Sequence, residues 1–512
     1  MDATEPTLPQ RLTALWDHLG LGAAHVAAQM PGDLAGFIAA APQRIAGVVL
    51  CVPSRLDPAP FAGVAERLLM VAGDGDLTGD VTARALPRLP GATRHVLHGY
   101  QAPGWADVVA DRSAVIAGWI AAHLPRFAAD PPRGAADPAR VTADPPRLAA
   151  EPPRAAAEPA RATAEPARAT AEPPRTADPP PVAADPLRAA DQPRAPAEGV
   201  VAGITYRIQG AGPALVLLPF FLAPSQWDPA IPLLARDFSV VTLGGRHVGG
   251  IAALEDRAQA PSYRAMVRGL IEHMAPQPGE TMLDIGSGSG ALDRMVAHRW
   301  PANPLTAIDV NPFLQREAKA LAAEDGLGEA IAFMPGSAEA LPFPDASFDC
   351  VFTVTVLEEC DADRALREAW RVLRPGGRIG VVVRAIDLPQ WWNLDLPPKL
   401  RARAETPPQS VGPRGVADAS LYRRLRAAGF GDLACFPSLV TLDRPDGPIW
   451  RYREDHVLSL LTPEETAVWR SLTASARCDG VLAMAHPMHC AVGRKAFPRG
   501  PGSVPREQEG LG

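Results

Sequence analysis

The residues best equipped for chemistry lie in TMLDIGSGSGALDRM, residues 281–295. Asp284 closes a strand-compatible stretch, Gly286, Gly288 and Gly290 alternate with Ser287 and Ser289, and the Ala/Leu/Met pattern that follows reads as the start of a helix. Strand, tight turn and helix in that order put a carboxylate and a closely approachable backbone at the carboxyl end of a strand, where open α/β sheets bind ligands. The loop by itself leaves its ligand open, because Gly286, Gly288 and Ala291 also satisfy the relaxed dinucleotide fingerprint of an NAD(P)-dependent oxidoreductase. PLTAIDVNP (304–312) reads as a second strand ending in Asp309, about 19 residues past the loop, where one carboxylate can accept both hydroxyls of a nucleoside ribose.

The elements that must position these residues follow in α/β order. IAFMPGSAEALPFPDASFDCVFTVTVLEEC (331–360) gives a strand, a polar loop and a strand beginning near Asp349. REAWRVLRPGGRIGVVVRA (367–385) gives a helix, the Pro375-Gly376-Gly377 turn and a fifth strand. DASLYRRLRAAGF (418–430) is an amphipathic helix, and the stretches 432–442 and 480–495 supply the last two strands.

Together LDIGSGSG, AIDVNP, GSAEALPFPDASFD and LRPGG resemble the class I S-adenosylmethionine-dependent methyltransferases, in the style of the quinone-biosynthesis-type small-molecule group, over about residues 265–495. The resemblance implies a Rossmann-like seven-stranded sheet with S-adenosyl-L-methionine as cofactor. It places Asp284, Gly286, Ser287, Gly288 and Gly290 at the methionine end, Asp309 at the ribose, and Val310, Ser337, Ala338, Glu339 and Thr353 also on the cofactor. Many relatives carry Asp where Ser337 stands, so the contact to the adenine amino group is expected to weaken or to come from backbone. Asp284 is the physical discriminator: a carboxylate beside the turn repels a pyrophosphate and suits the ammonium of a methionine moiety.

A sulfonium is already an activated methyl donor, so the protein's task is in-line positioning and desolvation of the acceptor. Glu359, at the end of the fourth strand in TVTVLEEC, is the first candidate for an acceptor-side general base, Glu358 the alternative, and His489 in HPMHCAVG a second candidate. Trp391 and Trp392 can wall an apolar or aromatic small-molecule acceptor, or simply pack. A non-catalytic S-adenosylmethionine-binding regulator is the rival reading.

Upstream, residues 1–127 alternate strand-like and helix-like stretches in a parallel α/β pattern. They resemble the second half of an α/β hydrolase, and residues 199–260 its opening strands. The resemblance puts Met30 where that family has its serine, Asp76 at the triad acid and Gln101 at the histidine, unless His98 has shifted register, with Pro219 and Phe220 at the oxyanion loop. A thioether cannot be deprotonated for attack and proline offers no N–H, so a catalytically inactive accessory region is expected. The two pieces, late strands first, either dock as one rearranged sheet, since each alone leaves a bare strand edge, or stand as two independently adapted modules.

Between them, residues 128–198 repeat ADPPR- and AEPAR-like units whose acid returns every seventh position from Asp130 to Glu172. The prolines exclude a coiled coil and predict an extended, disordered linker. The predicted division is 1–127, 128–198, 199–260, a methyltransferase domain at 261–496 and a disordered tail at 497–512. A net charge of −7 provides no electrostatic footprint for nucleic acid or anionic membrane. The six cysteines show no CxxC, so no metal site is expected, and no apolar run is long enough to span a bilayer. A cytoplasmic location is expected.

Overall fold

The computed structural model describes residues 6–29, 31–53, 55–74, 77–100, 108–127, 197–220, 224–442 and 447–497. Most of the proline-rich tract, Met30, Asp76, Gln101 and the chain after Phe497 lie outside them. Two sheets organise the described residues. The first takes β1 (Ala24–Ala28), β2 (Ile45–Cys51), β3 (Leu68–Gly73) and β4 (Thr93–Leu97) from before the tract. It takes β5 (Glu198–Val201), β6 (Ile204–Gln209), β7 (Ala214–Leu217) and β8 (Ser239–Gly244) from after it. β5 starts on Glu198, the last residue that composition assigns to the tract.

Their order is β4-β3-β2-β1-β7-β8-β6-β5, so the two stretches of chain meet inside one sheet. At the seam His25, Val26 and Ala27 of β1 pair in parallel with Leu215, Val216 and Leu217 of β7. β2 (IAGVVLC) and β3 (LLMVAG) are buried along their whole length, as expected of parallel strands covered on both faces. Both cores mix the two stretches: Leu12, Val48 and Met70 pack with Val216 and Val241 on one side, and Val49, Leu69 and Ile116 with Leu215 and Trp227 on the other.

The second sheet comprises β9 (Met282–Ile285), β10 (Leu305–Asp309), β11 (Ile331–Pro335), β12 (Phe348–Val354), β13 (Leu373–Arg384), β14 (Trp391–Trp392), β15 (Phe430–Leu442) and β16 (Met484–Lys495). β11, β10, β9, β12 and β13 lie side by side in parallel, and β16 runs antiparallel between β13 and β15. Where seven strands are expected there are eight, because Trp391 and Trp392 add a two-residue ladder on β16. Between β15 and β16 stand two helices, Pro448–Leu460 and Pro463–Cys478. A capping box starts the second: Thr462 accepts the Glu465 N–H while Glu465 accepts the Thr462 N–H. No helix among the described residues is long and apolar enough to cross a membrane.

The helix Gly249–Gln259 joins the two halves of the molecule. It follows the first sheet in sequence, yet it packs on the helices Pro261–Met274, Ala291–Arg299 and Pro448–Leu460. A division at residue 260 therefore separates this helix from the sheet it serves. Ion pairs Arg246–Asp325 (2.8 Å), Arg316–Asp228 (2.9 Å) and Arg55–Asp455 (3.1 Å) also link the two halves.

Candidate functional site: a glycine turn over two buried acids

The turn after β9 is built by backbone that only glycine tolerates. Gly286 has φ 88°, and a Cβ there would lie 2.1 Å from Val356 Cγ2. The N–H groups of Gly286 and Ser287 both donate to the Ile308 carbonyl, at 2.8 and 2.9 Å, which folds the turn back over β10. Gly290, at φ 73°, sits against Phe333 and Ala318 and starts the helix Ala291–Arg299. Ser287 Oγ accepts from Gln315 Nε2 at 3.0 Å. Ser289 Oγ donates to Glu255 Oε1 (2.6 Å), and Glu255 in turn holds Arg294 (2.5 Å), a buried pair that pins the Gly249–Gln259 helix to the turn.

Beneath the turn lie two carboxylates, Asp284 from β9 and Asp293 from the first turn of the helix, both almost wholly buried. Burial raises both above the usual carboxylate range; their mutual repulsion and the nearby charge of Asp309 raise Asp284 further, to well above it. Apart from the proton it can share with Asp284, Asp293 is eased only by the charge of Arg294 and its own backbone N–H, and no other described residue donates to its oxygens. Such a pair is costly as it stands and is relieved by a cation. The ammonium of a methionine moiety supplies one, whereas a pyrophosphate would add to the repulsion.

Asp309, at the tip of β10, is gripped from both sides. Oδ2 accepts the Gly288 N–H (2.9 Å) and Oδ1 accepts the Asn311 N–H (2.8 Å), and Asn311 itself caps the helix Pro312–Glu324. Burial still lifts its carboxyl above the usual range, the donated N–H groups opposing. Beside it Val310 is 76% exposed, an apolar surface open to an aromatic ring. Ser337 Oγ accepts the Glu339 N–H (3.2 Å), and Ala338 is half-buried against the core.

Two of the residues assigned to the cofactor by sequence are occupied elsewhere. Glu339 accepts the Asp361 N–H (2.9 Å) and pairs with Arg364 (3.8 Å), so its carboxylate anchors the helix Ala362–Val372. Thr353 is buried and its hydroxyl donates to the Ile285 carbonyl (3.0 Å), tying β12 to β9.

A cavity of about 210 Å³ opens where β12 ends. Thr355 there has φ 61°, a conformation disfavoured for a β-branched residue and typical of functional sites. Arg257, from the same helix as Glu255, reaches Thr355 Oγ1 at 3.3 Å and lies over the ring of Tyr263, whose hydroxyl sits within the fields of Asp284 and Glu358. Glu358 is buried and spent: it accepts the Arg384 N–H (2.6 Å) and forms an ion pair with that arginine's guanidinium. Glu359, at the exposed rim, holds no hydrogen bond from any described residue, and burial together with Glu358 raises its carboxyl, Arg384 opposing.

His489 does not reach this cavity. His486 and Met488 line it, and because side chains alternate along a strand, His489 faces the other side of the sheet. There Nδ1 bonds Tyr422 Oη (2.9 Å) and Nε2 bonds Asp387 (2.8 Å). Nor do the tryptophans wall it: Trp392 is core, edge-on to Trp450 and Trp469 with Nε1 on the Ala404 carbonyl, and Trp391 is exposed on the edge strand. The lining is charged where an apolar one was expected. Sequence reasoning missed Asp293, Glu255, Arg257, Arg453 and His486. An acid in the first turn after the glycines, and the alternation of His486 with His489, were the available signals. The others depend on helices whose placement is purely tertiary.

In the first sheet, His98 Nδ1 meets Asp74 Oδ2 at 3.2 Å on the surface, while the expected Asp76 lies outside the described residues. Phe220 is wholly buried after β7.

Residues 283–381 match the methyltransferase domain family. That stretch is a methyltransferase domain of the class I S-adenosylmethionine-dependent type. The ubiquinone/menaquinone biosynthesis C-methyltransferase UbiE of Hahella chejuensis is 38% identical over 154 residues, covering 30% of this chain and 62% of the relative. The malonyl-[acyl-carrier protein] O-methyltransferase of Methylococcus capsulatus is 36% identical over 143 residues, 27% of this chain and 48% of the relative. The uncharacterized methyltransferase YodH of Bacillus subtilis is 30% identical over 151 residues, 30% and 58% respectively. The chain thus spans about half to three fifths of the length of these curated relatives. S-adenosylmethionine is the cofactor of the domain, and the acids beneath the turn suit its cationic end.

Proposed function

We propose that the protein transfers a methyl group from S-adenosylmethionine to a small-molecule acceptor held in the cavity at the end of β12. The observation that carries this reading is the buried Asp284–Asp293 pair, a site short of positive charge directly under a glycine turn that adjoins that cavity through Val356 and Thr355. In this reading the acids and the Gly286–Gly290 backbone take the methionine end, Asp309 the ribose, and Val310 with the Ser337–Ala338 backbone the adenine. The cofactor supplies an activated methyl group on a sulfonium. The chain's own residues orient it, exclude water and, where the acceptor must lose a proton, receive that proton at Glu359, the rim acid with a raised pKa and no partner. Glu358 is the poorer base because Arg384 already neutralises it.

The first sheet fits an accessory role. The arrangement of late strands β1–β4 beside early strands β5–β8 supports a rearranged hydrolase-like sheet, and Met30 offers no nucleophile where that family has its serine.

The test is turnover with methyl-labelled S-adenosylmethionine and a fractionated small-molecule extract. Label should move into an acceptor with the wild-type chain and not with Asp309→Ala. Tight binding of S-adenosylhomocysteine with no label transferred from any fraction would favour a regulator, and binding of NAD(P) in its place would end the proposal.

A further inference from the structure

The cavity holds more positive charge than its own residues neutralise. Arg453, from the helix Pro448–Leu460, is only 5% exposed, lines the cavity, and makes no hydrogen bond or ion pair with any described residue. Its Nε is sealed from solvent without an acceptor, and so is that of Arg257. Of the three guanidiniums only Arg384 meets a carboxylate, Glu358, beside the Ser410 carbonyl; Arg257 reaches only the Thr355 hydroxyl. His486 is 4% exposed, and neither ring nitrogen has a partner. Burial and the three arginines hold its imidazole well below its ordinary pKa, so it is a neutral ring with one N–H to donate. The same crowding lowers Arg453 to about 10.

A buried guanidinium without an acceptor is a demand for an anion. Resting on the methyltransferase reading, we infer that the methyl acceptor carries a carboxylate, which docks on Arg453 with Arg257 and His486 as further donors. Charge selects among anions. Three guanidiniums face two carboxylates, Glu358 and Glu359, which leaves one positive charge, enough for a monoanion and too little for a phosphate dianion. Shape agrees, because a guanidinium edge matches a planar carboxylate with two parallel N–H donors. A cavity of about 210 Å³ restricts the docked end to a short chain or a single ring. The anchoring residues come from three separate elements: the Gly249–Gln259 helix, the Pro448–Leu460 helix and β16.

The experiment uses the full chain saturated with S-adenosylhomocysteine and a panel of short aliphatic and aromatic monocarboxylic acids, each titrated beside its own primary amide. At least one acid should bind about tenfold or more tightly than its amide. Arg453→Met should erase that preference while S-adenosylhomocysteine affinity stays within about twofold. Arg257→Gln, at a less buried site, provides a second variant should the first not fold, and should weaken the preference in the same direction. If no acid outbinds its amide, or if the preference survives both substitutions, the inference is overturned. Failure of S-adenosylhomocysteine to bind the wild-type chain would instead remove the methyltransferase reading, and the acid-over-amide comparison would still be measured without it.

Discussion

The two sheets bury polar groups for opposite ends. In the first, His25 lies in the seam strand with both ring nitrogens unpartnered, next to His123. Burial, then His123, brings His25 down to about 4, so at neutral pH it is a silent, uncharged core residue. In the second, the buried side-chain atoms without a hydrogen-bond partner include those of the ionisable Asp293 and Arg453 as well as the neutral ring of His486. Similar apolar strands underlie both. The difference lies in charge: the seam of the first sheet buries a neutral ring, whereas the second buries ionisable groups that other described residues leave without a hydrogen-bond partner.

The largest expected effect concerns how far the sheets are independent. Removing residues 1–127 strips β1 from β7 and opens both apolar cores of the first sheet. Hydrogen exchange should then show β5–β8 amides unprotected and β9–β13 still protected; protected β5–β8 amides would mean the two stretches fold separately.

Next comes the turn itself. Gly286→Ala adds a Cβ that would lie 2.1 Å from Val356 at a backbone angle alanine avoids. A loss of S-adenosylhomocysteine affinity on the order of a hundredfold is expected by calorimetry, since even strain of a few kcal/mol suffices. Unchanged affinity would show that the turn does not contact the ligand.

The contrast should also appear as opposite pH slopes. His25 has a folded pKa below its unfolded one, so its contribution is fully present above about 6.5 and is lost as pH falls to about 4, on the order of 3 kcal/mol. His25→Leu should flatten that limb in thermal melts. Asp284 and Asp293 have raised pKa values, so their contribution is present below the ordinary carboxylate range and lost as pH rises through the raised values. Stabilisation by added S-adenosylmethionine should therefore grow with pH over that window, and Asp293→Asn should reduce the growth. A pH-independent increment would break the assignment of the ammonium to these acids.

The smallest effect belongs to the proline-rich tract. Replacing residues 128–196 with about 30 Gly/Ser residues should change stability by no more than about 1 kcal/mol, because loop-closure cost varies only with the logarithm of length. A larger fall in the melting temperature would give the tract a structural role.

Much of this was legible along the chain. The apolar runs at β1–β4 and β7–β13, the glycine turn and the tip acids Asp284 and Asp309 follow from local periodicity and spacing, which need no distant partner. The bare strand edges expected of the two pieces left a shared sheet as one of two arrangements, and β1 against β7 is where they meet. The cavity at the end of β12 was not legible. Arg257 precedes the glycine turn on a helix that sequence groups with the other sheet, and Arg453 sits on a helix between β15 and β16. Glu358 and Glu359 are neighbours with the same side chain, and only Arg384 in β13 decides which of them is spent.

What the amino-acid sequence determined by itself was the order of strands and helices and the chemistry of the first turn, because these depend on side-chain type and spacing within one stretch. Which polar groups remained unpaired was decided only in three dimensions. Desolvation and charge depend on every neighbour a group acquires on folding, and for Asp293, Arg453 and His486 those neighbours come from distant parts of the chain.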